Sequence, residues 1–429
     1  MNSKARTTKT KEEITSTLTN LYFIMFAASA FTSLALLFYI PTDLYSFWSF
    51  QVSDPPWLPP GYSTTNIVGS HTFGDFQLPY TLALNSDPYG WTFYNVTMPL
   101  GFLLFSIASI FPIKAMTIIF LIFSLVLFGA TLKDYFNNSG NSNLKTSIYL
   151  FCSLPILICL DRGGLQMVAL ALMFKGLHWY INNPSLGSTG DKISSNLYLA
   201  AAVSMKIYLI IPILLIMVVE KKMRLFLSNF VIILLSANLI LSFLYGGPIK
   251  VIQGLAQAYL FQTGSSDPGW IFGGVSLSKL FASLYFYNHS FAESMRFAEI
   301  YQDFVFLPGI VYLLAMYGLA MRKKFEKNYK ITLILSTVFL VTPVSGAYTL
   351  VVTSFMVAIL FKDLQKYESF NVQTKIRYLI LVLTIFASML PIPSKYYLTI
   401  VPSFWVLNLL LLSLLNILDR ITTRQKKTL

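Results

Sequence analysis

A run of about 20 apolar residues, Leu21 to Ile40, sets the pattern that constrains the rest of the chain. Such a run is long enough to cross the ~30 Å hydrocarbon core of a bilayer as a helix. Long runs recur at Ala115 to Leu132, Leu165 to Ile181, Leu197 to Val219, Leu225 to Tyr245, Phe304 to Met321 and Tyr396 to Leu415. Shorter ones lie at Ser147 to Leu160, Ile331 to Val341, Ala347 to Phe361 and Tyr378 to Leu390. Backbone that crosses lipid must satisfy its own hydrogen bonds, so an all-α fold is expected. The expected architecture is a polytopic integral membrane protein, one transmembrane domain over residues 1–429 with about 11–13 transmembrane helices.

Charge supports that class. Charged residues make up 11% of the chain, against about 25% in soluble domains. The net charge of +13 would suit nucleic acid in a soluble protein. Here the basic residues gather between apolar runs, at Lys4 to Lys11, Glu220 to Arg224, Arg322 to Lys330, Lys362 to Arg377 and Arg420 to Lys427. That is the positive-inside pattern, and it needs no nucleic-acid partner. It places both termini in the cytoplasm. The first run is longer than a signal-peptide core and is followed by no small-residue cleavage site, so it reads as an uncleaved helix.

Residues 41–92 form the expected first external loop, rich in Pro, Trp, Tyr and Ser and without a single Lys or Arg. Residues 246–303 form a second long external loop with amphipathic pieces, and Asn182 to Ser195 reads as a polar, Gly/Ser-rich connection. Two threadings satisfy the charge rule between them. In one, Phe93 to Pro112 spans and Leu197 to Val219 is a single helix. In the other, Phe93 to Pro112 lies on the outer surface and Leu197 to Val219 bends at Lys206 into two short helices. We favour the second, because it keeps Lys133 and Lys145 inside and gives Lys206 an outer apex.

Candidate chemistry is sparse. Asp75, in an aromatic exported stretch, suits a general base acting on a hydroxyl, and equally an ordinary loop carboxylate or helix N-cap. Asp87-Pro88-Tyr89-Gly90 has the residues of a turn, and Met98-Pro99-Leu100 those of a helix start with Pro in the first turn. Asp161-Arg162-Gly163-Gly164 places a bidentate phosphate binder beside glycines that let a ligand approach backbone N–H groups. An Asp–Arg pair at a tight turn is the alternative there. Lys206, inside an apolar run, is expensive in lipid and functional by default, although a snorkelling side chain is the competing reading.

Metal and nucleotide chemistry find no support in the motifs. Cys152 and Cys159 are too far apart on a helix to bridge. His71, His178 and His289 do not cluster, so no zinc site is expected. Neither a Walker loop nor a Rossmann fingerprint is present. No cofactor is expected, and a divalent metal is unsupported.

These residues resemble the polyprenyl-phosphate-sugar-dependent transferases of the GT-C fold, most closely glycosyltransferase family 87, which includes mannosyl- and arabinofuranosyltransferases. The likeness runs over roughly residues 70 to 350. It rests on Asp75-Phe76, on Asp87-Pro88-Tyr89 and on Val96-Thr97-Met98-Pro99-Leu100, where Met98 replaces a proline of a YPPL-like helix start. Asp161-Arg162-Gly163-Gly164 resembles an RGN motif with Gly164 in place of Asn. Lys206-Ile207-Tyr208 resembles a KxYP-like motif with its proline displaced to Pro212. Gly274-Val275-Ser276-Leu277 resembles a small-residue Ser-Leu motif. Thr342-Pro343-Val344-Ser345-Gly346 resembles an SPxSW-type motif that has lost its Trp.

The resemblance implies an inverting glycosyltransferase in a bacterial plasma membrane, moving mannose or an arabinofuranose-type sugar to a hydroxyl on the extracytoplasmic face. Its partners would be a polyprenyl-phosphate sugar donor, a glycan or glycolipid acceptor and membrane lipids. Asp75 would be the catalytic base, and Arg162 and Lys206 would hold the donor phosphate. Asp87, Tyr89, Asp161 and Ser276 would contribute to substrate binding. A lipid-linked glycan flippase or carrier and a non-catalytic assembly subunit are the alternatives.

Overall fold

The computed structural model describes residues 74–84, 87–90, 97–136, 156, 159–160, 163–182, 189–219, 221–264, 327–341 and 351–364, with single positions at 314, 318, 372, 375 and 376. Among the described residues the chain is helical and contains no strand. Helix α1 is Gly74–Ala83, α2 is Pro99–Ala108 and α3 is Ile113–Phe136. Next come α4, Leu165–Asn182, and α5, Thr189–Met205. A 3-10 turn at Ile207–Leu209 leads into α6, Ile210–Val219. Helix α7, Lys221–Ser242, runs through a second 3-10 turn at Phe243–Tyr245 to α8, Pro248–Gly264. Helices α9, Lys327–Val341, and α10, Val352–Leu364, complete the set.

Helix α5 is the hub. It packs against α4, α7 and α2, while α4 also packs on α3, and α10 joins α3 to α9. The α3–α4–α10 seam is aromatic. Phe174 stacks on Phe355 at 4.0 Å between centroids, and Tyr135 meets both edge-on. The Tyr135 hydroxyl donates to the Phe174 carbonyl at 2.7 Å, so this buried ring leaves no polar group unmet.

Among the described residues, two helices are long and apolar enough to cross a membrane, Ile113–Tyr135 and Phe226–Tyr245. Their exposed faces are apolar, and their polar side chains are buried alongside Phe120, Phe128 and Leu132 on one and Phe230 and Leu234 on the other. On α3 the outward stripe is Ile118, Ile119, Ile122, Phe123 and Val126, whereas Thr117, Ser124 and Thr131 face inward and are buried. On α7, Ile232, Leu235, Leu239 and Ile240 face out while Asn238 and Ser242 are buried. Water would favour the reverse; hydrocarbon favours this one, because polar groups there must pair inside the protein.

One expectation needs correcting, and two others gain detail. The polar connection expected to run to Ser195 is already helical from Thr189, and Ser195 and Asn196 are buried. Among the described residues of Phe93 to Pro112, the helix is the ten-residue α2, and Met98 before it is extended. That is about 15 Å of helix, half of what a span requires, so the threading in which it crosses loses its support. In the long segment expected at 246–303, with its amphipathic pieces, the described residues include the 17-residue helix α8.

The bend expected at Lys206 is present. Helix α5 ends at Met205, Lys206 is extended with φ −140° and ψ 94°, and the helix restarts at Ile210. Pro212 supplies a physical cause. In a continuous helix its ring would press on the carbonyl of Tyr208, and its missing N–H would break the ladder. Restarting at Ile210 puts Pro212 in a first turn, where no such N–H is needed.

Candidate functional site at the helix break

The break places Lys206 beside α1. Its Nζ lies 3.5 Å from Asp75 Oδ2, and the two side chains are only 11% and 14% exposed. Asp75 sits in the first turn of α1, where a carboxylate also complements the positive helix end. Its neighbour fixes it there. Phe76 is fully buried, stacked on Phe120 of α3 at 4.4 Å and tilted against Phe105 of α2 at 5.8 Å. The Asp-Phe pair thus has two jobs: Phe76 anchors α1 in the aromatic core, and Asp75 is carried to the helix break.

The same break reaches α4. Tyr208, two residues beyond Lys206, donates its hydroxyl to Gln166 Oε1 in the first turn of α4. Immediately before that turn, Gly163 and Gly164 both hold positive φ, 102° and 71°. The Gly163 N–H bonds the Leu160 carbonyl at 2.9 Å and the Gly164 N–H bonds the Cys159 carbonyl at 2.8 Å. This is the paired closure that ends a helix at a left-handed glycine. A side chain at Gly164 would also strike Ser124 Oγ at 2.8 Å. Glycine at position 164 suits this tight seat against α3. Asp161, Arg162 and Ser276 lie outside the described residues, as do His71, His289, Cys152 and the motif at 342–346.

Asp87 and Tyr89 serve a different construction. The Gly90 N–H bonds both the Asp87 carbonyl at 3.3 Å and Asp87 Oδ1 at 2.9 Å, closing the expected turn. Lys250 of α8 reaches Asp87 Oδ2 at 2.5 Å. That hydrogen bond holds the Asp87 carboxyl below its usual value, against a smaller opposing effect of burial. The Tyr89 hydroxyl donates to the Thr97 carbonyl at 2.7 Å, and burial with Tyr245 nearby pushes it well above the usual phenol range. Asp87 and Tyr89 are therefore engaged in holding the turn. The start of α2 is held to α5 directly: the Met98 N–H bonds the Ser204 carbonyl at 2.7 Å, two residues before Lys206.

Sequence reading missed Lys250, Asn238 and Gln166. Asn238 accepts the Leu100 N–H at 2.9 Å, donates to Ser204 Oγ at 2.9 Å and to the Leu234 carbonyl at 2.8 Å. A polar residue inside the run Leu225 to Tyr245 was the available signal. Among the described residues no group of three or more His, Cys, Asp or Glu could hold a metal ion, and His178 packs edge-on against Tyr135. Compared with protein-family models, with curated proteins and with solved structures, the chain has no match in any of the three.

Proposed function

We propose that the chain is a multi-pass membrane glycosyltransferase, inverting in outcome, that moves a sugar from a polyprenyl-phosphate donor to a hydroxyl acceptor on the extracytoplasmic face. The observation that carries this reading is the Asp75–Lys206 pair at an interrupted helix, 3.5 Å apart and mostly shielded from solvent. Asp75 takes the proton of the acceptor hydroxyl as its oxygen attacks the anomeric carbon. The bond from that carbon to the phosphate oxygen breaks, and polyprenyl phosphate leaves with the electron pair. An ammonium carries three N–H donors, so Lys206 can orient the carboxylate and bind a leaving phosphate oxygen together. Negative charge grows on that oxygen as the bond breaks, so a fixed cation stabilises the transition state more than the ground state.

The test uses the purified protein in proteoliposomes with a panel of polyprenyl-phosphate sugars and glycan or glycolipid acceptors. Transfer is expected for the native chain and is lost in Asp75→Asn, with expression and donor binding retained. Near-normal turnover by that variant would remove Asp75 from the base role. One observation favours a second reading: interrupted helices also build the substrate sites of carriers. Movement of labelled lipid-sugar across the vesicle wall with no sugar transfer would select that reading.

A further inference from the structure

Gln166 is 1% exposed, and among the described residues its Nε2 has no hydrogen-bond partner. Its other amide atom is engaged, since Oε1 accepts the Tyr208 hydroxyl. With Oε1 on the Tyr208 hydroxyl, the two N–H donors of the amide are turned away from Tyr208. A buried donor without an acceptor is destabilising in a folded protein, and such groups are rare unless something else uses them.

The place is as informative as the atom. Gln166 lies in the first turn of the 18-residue helix α4, whose first intrahelical bond runs from the Val168 N–H to the Gly164 carbonyl. The N–H groups of Leu165, Gln166 and Met167 therefore have no acceptor within their own helix. Side chains in a helix lean toward its N-terminus, so the Gln166 amide projects over that same end. Gly163 and Gly164 bring bare backbone up to it. Lys206 stands two residues from Tyr208, the residue that holds the amide. Backbone donors, the positive helix end and a neutral amide donor together select an oxygen-rich anion.

We infer that the N-terminus of α4 with Gln166 Nε2 is a phosphate-binding site, Gln166 donating directly to a phosphate oxygen. This rests on the lipid-phosphate donor proposed above and adds a residue to its recognition. Tyr208 is a positioning residue, holding the amide with its nitrogen toward the phosphate. A phosphate could reach the site as a lipid headgroup or as the free ion, and both have the same oxygen chemistry.

The experiment measures binding of geranyl phosphate, geraniol and inorganic phosphate to the full chain in lipid nanodiscs, alongside thermal unfolding without ligand. Geranyl phosphate is expected to bind and geraniol to bind far more weakly. Gln166→Leu is expected to lose affinity for geranyl phosphate by roughly tenfold or more, the range for a hydrogen bond to a charged group. The double variant Gln166→Leu/Tyr208→Phe, which also removes the hydroxyl that Oε1 accepts, should unfold at the same or a higher temperature when empty, because the unmet donor has gone and no new one is left. Gln166→Glu keeps an acceptor for Tyr208 and turns the donor into a repelling group, so it too should lose binding. Tyr208→Phe should lose less. Inorganic phosphate competing as well as geranyl phosphate would keep the site and assign it to the free ion.

Undiminished geranyl phosphate binding in both Gln166 variants would overturn the inference. So would a lowered unfolding temperature of the empty Gln166→Leu/Tyr208→Phe double variant, which would mark a purely structural amide. If the native chain binds phosphate through Gln166 yet transfers no sugar, the inference stands and the transferase reading falls. Transfer with unchanged binding in the variants has the opposite meaning.

Discussion

Asn238 accepts the backbone N–H of Leu100 at 2.9 Å, tying a long helix to the first turn of a short one 138 residues earlier. The same side chain donates to Ser204 Oγ and to the Leu234 carbonyl, so one amide holds α2, α5 and α7 together. Asn238→Leu would leave the Leu100 N–H and the Ser204 hydroxyl without this partner. A loss of roughly 1–3 kcal/mol is expected, read as a lower unfolding temperature in a fixed detergent. An unchanged midpoint would show that the network is incidental.

Gly101 presses against α5 so closely that a Cβ would come within 2.5 Å of the Ser204 carbonyl oxygen. The obstacle is backbone, which has nowhere to rotate. Gly101→Ala should therefore cost roughly 1–3 kcal/mol, as overpacking does in a filled core. Gly318, where a Cβ would meet nothing within 4 Å, supplies the control. Its Ala variant should unfold like the native protein.

The ion pair at the break predicts an asymmetry between its two neutral variants. Lys206→Met leaves a mostly buried carboxylate facing a thioether, and a loss of roughly 2–4 kcal/mol is expected, below the full range for a completely buried pair. Asp75→Asn leaves Lys206 an amide oxygen to bond, so its stability loss is smaller. Adding Asp75→Asn to Lys206→Met should recover stability. A double-mutant cycle in thermal unfolding measures the coupling, and strict additivity would mean that the two charges do not interact.

Acid should loosen the Asp87 turn before anything else in it. The folded Asp87 carboxyl sits below its ordinary value of 3.8, mainly through Lys250. A depressed carboxyl contributes stability that is present above the ordinary value and fades as pH falls through the folded one. Both side chains are about 40% exposed, at 42% for Lys250 and 40% for Asp87, so the contribution is under about 1 kcal/mol. Between pH 7 and pH 3 the native protein should lose slightly more stability than Lys250→Met. Parallel curves for the two would show that the contact contributes nothing.

Much of the fold was legible because the signals were local. Pro99 starts α2 and the Asp87 turn closes on Gly90, since both depend on residues within four positions. The break at Lys206 was legible too, from a charge that an unbroken apolar helix has no place for, with Pro212 supplying the cause. The start of α5 was misread because Thr189-Gly190-Asp191 has loop composition. Packing on α4 outweighs that weak preference. Lys250, Asn238 and Gln166 were missed for another reason: their partners are 163, 138 and 42 residues away. No periodicity encodes such distances, although an amide in an apolar run is a warning worth heeding.

The inward hydroxyls of α3 have one further consequence. Thr117 bonds the Ile113 carbonyl at 2.8 Å, Ser124 bonds Phe120 at 2.6 Å, and Thr131 bonds Leu127 at 2.9 Å. Each satisfies its polar group on its own helix, one turn back, and asks nothing of a neighbour. Helix α7 differs, because Asn238 needs Leu100 and Ser204. The order of assembly follows from that contrast: these three hydroxyls are met before any partner arrives, whereas Tyr135 of α3 waits for the Phe174 carbonyl of α4 and Asn238 of α7 waits for α2 and α5.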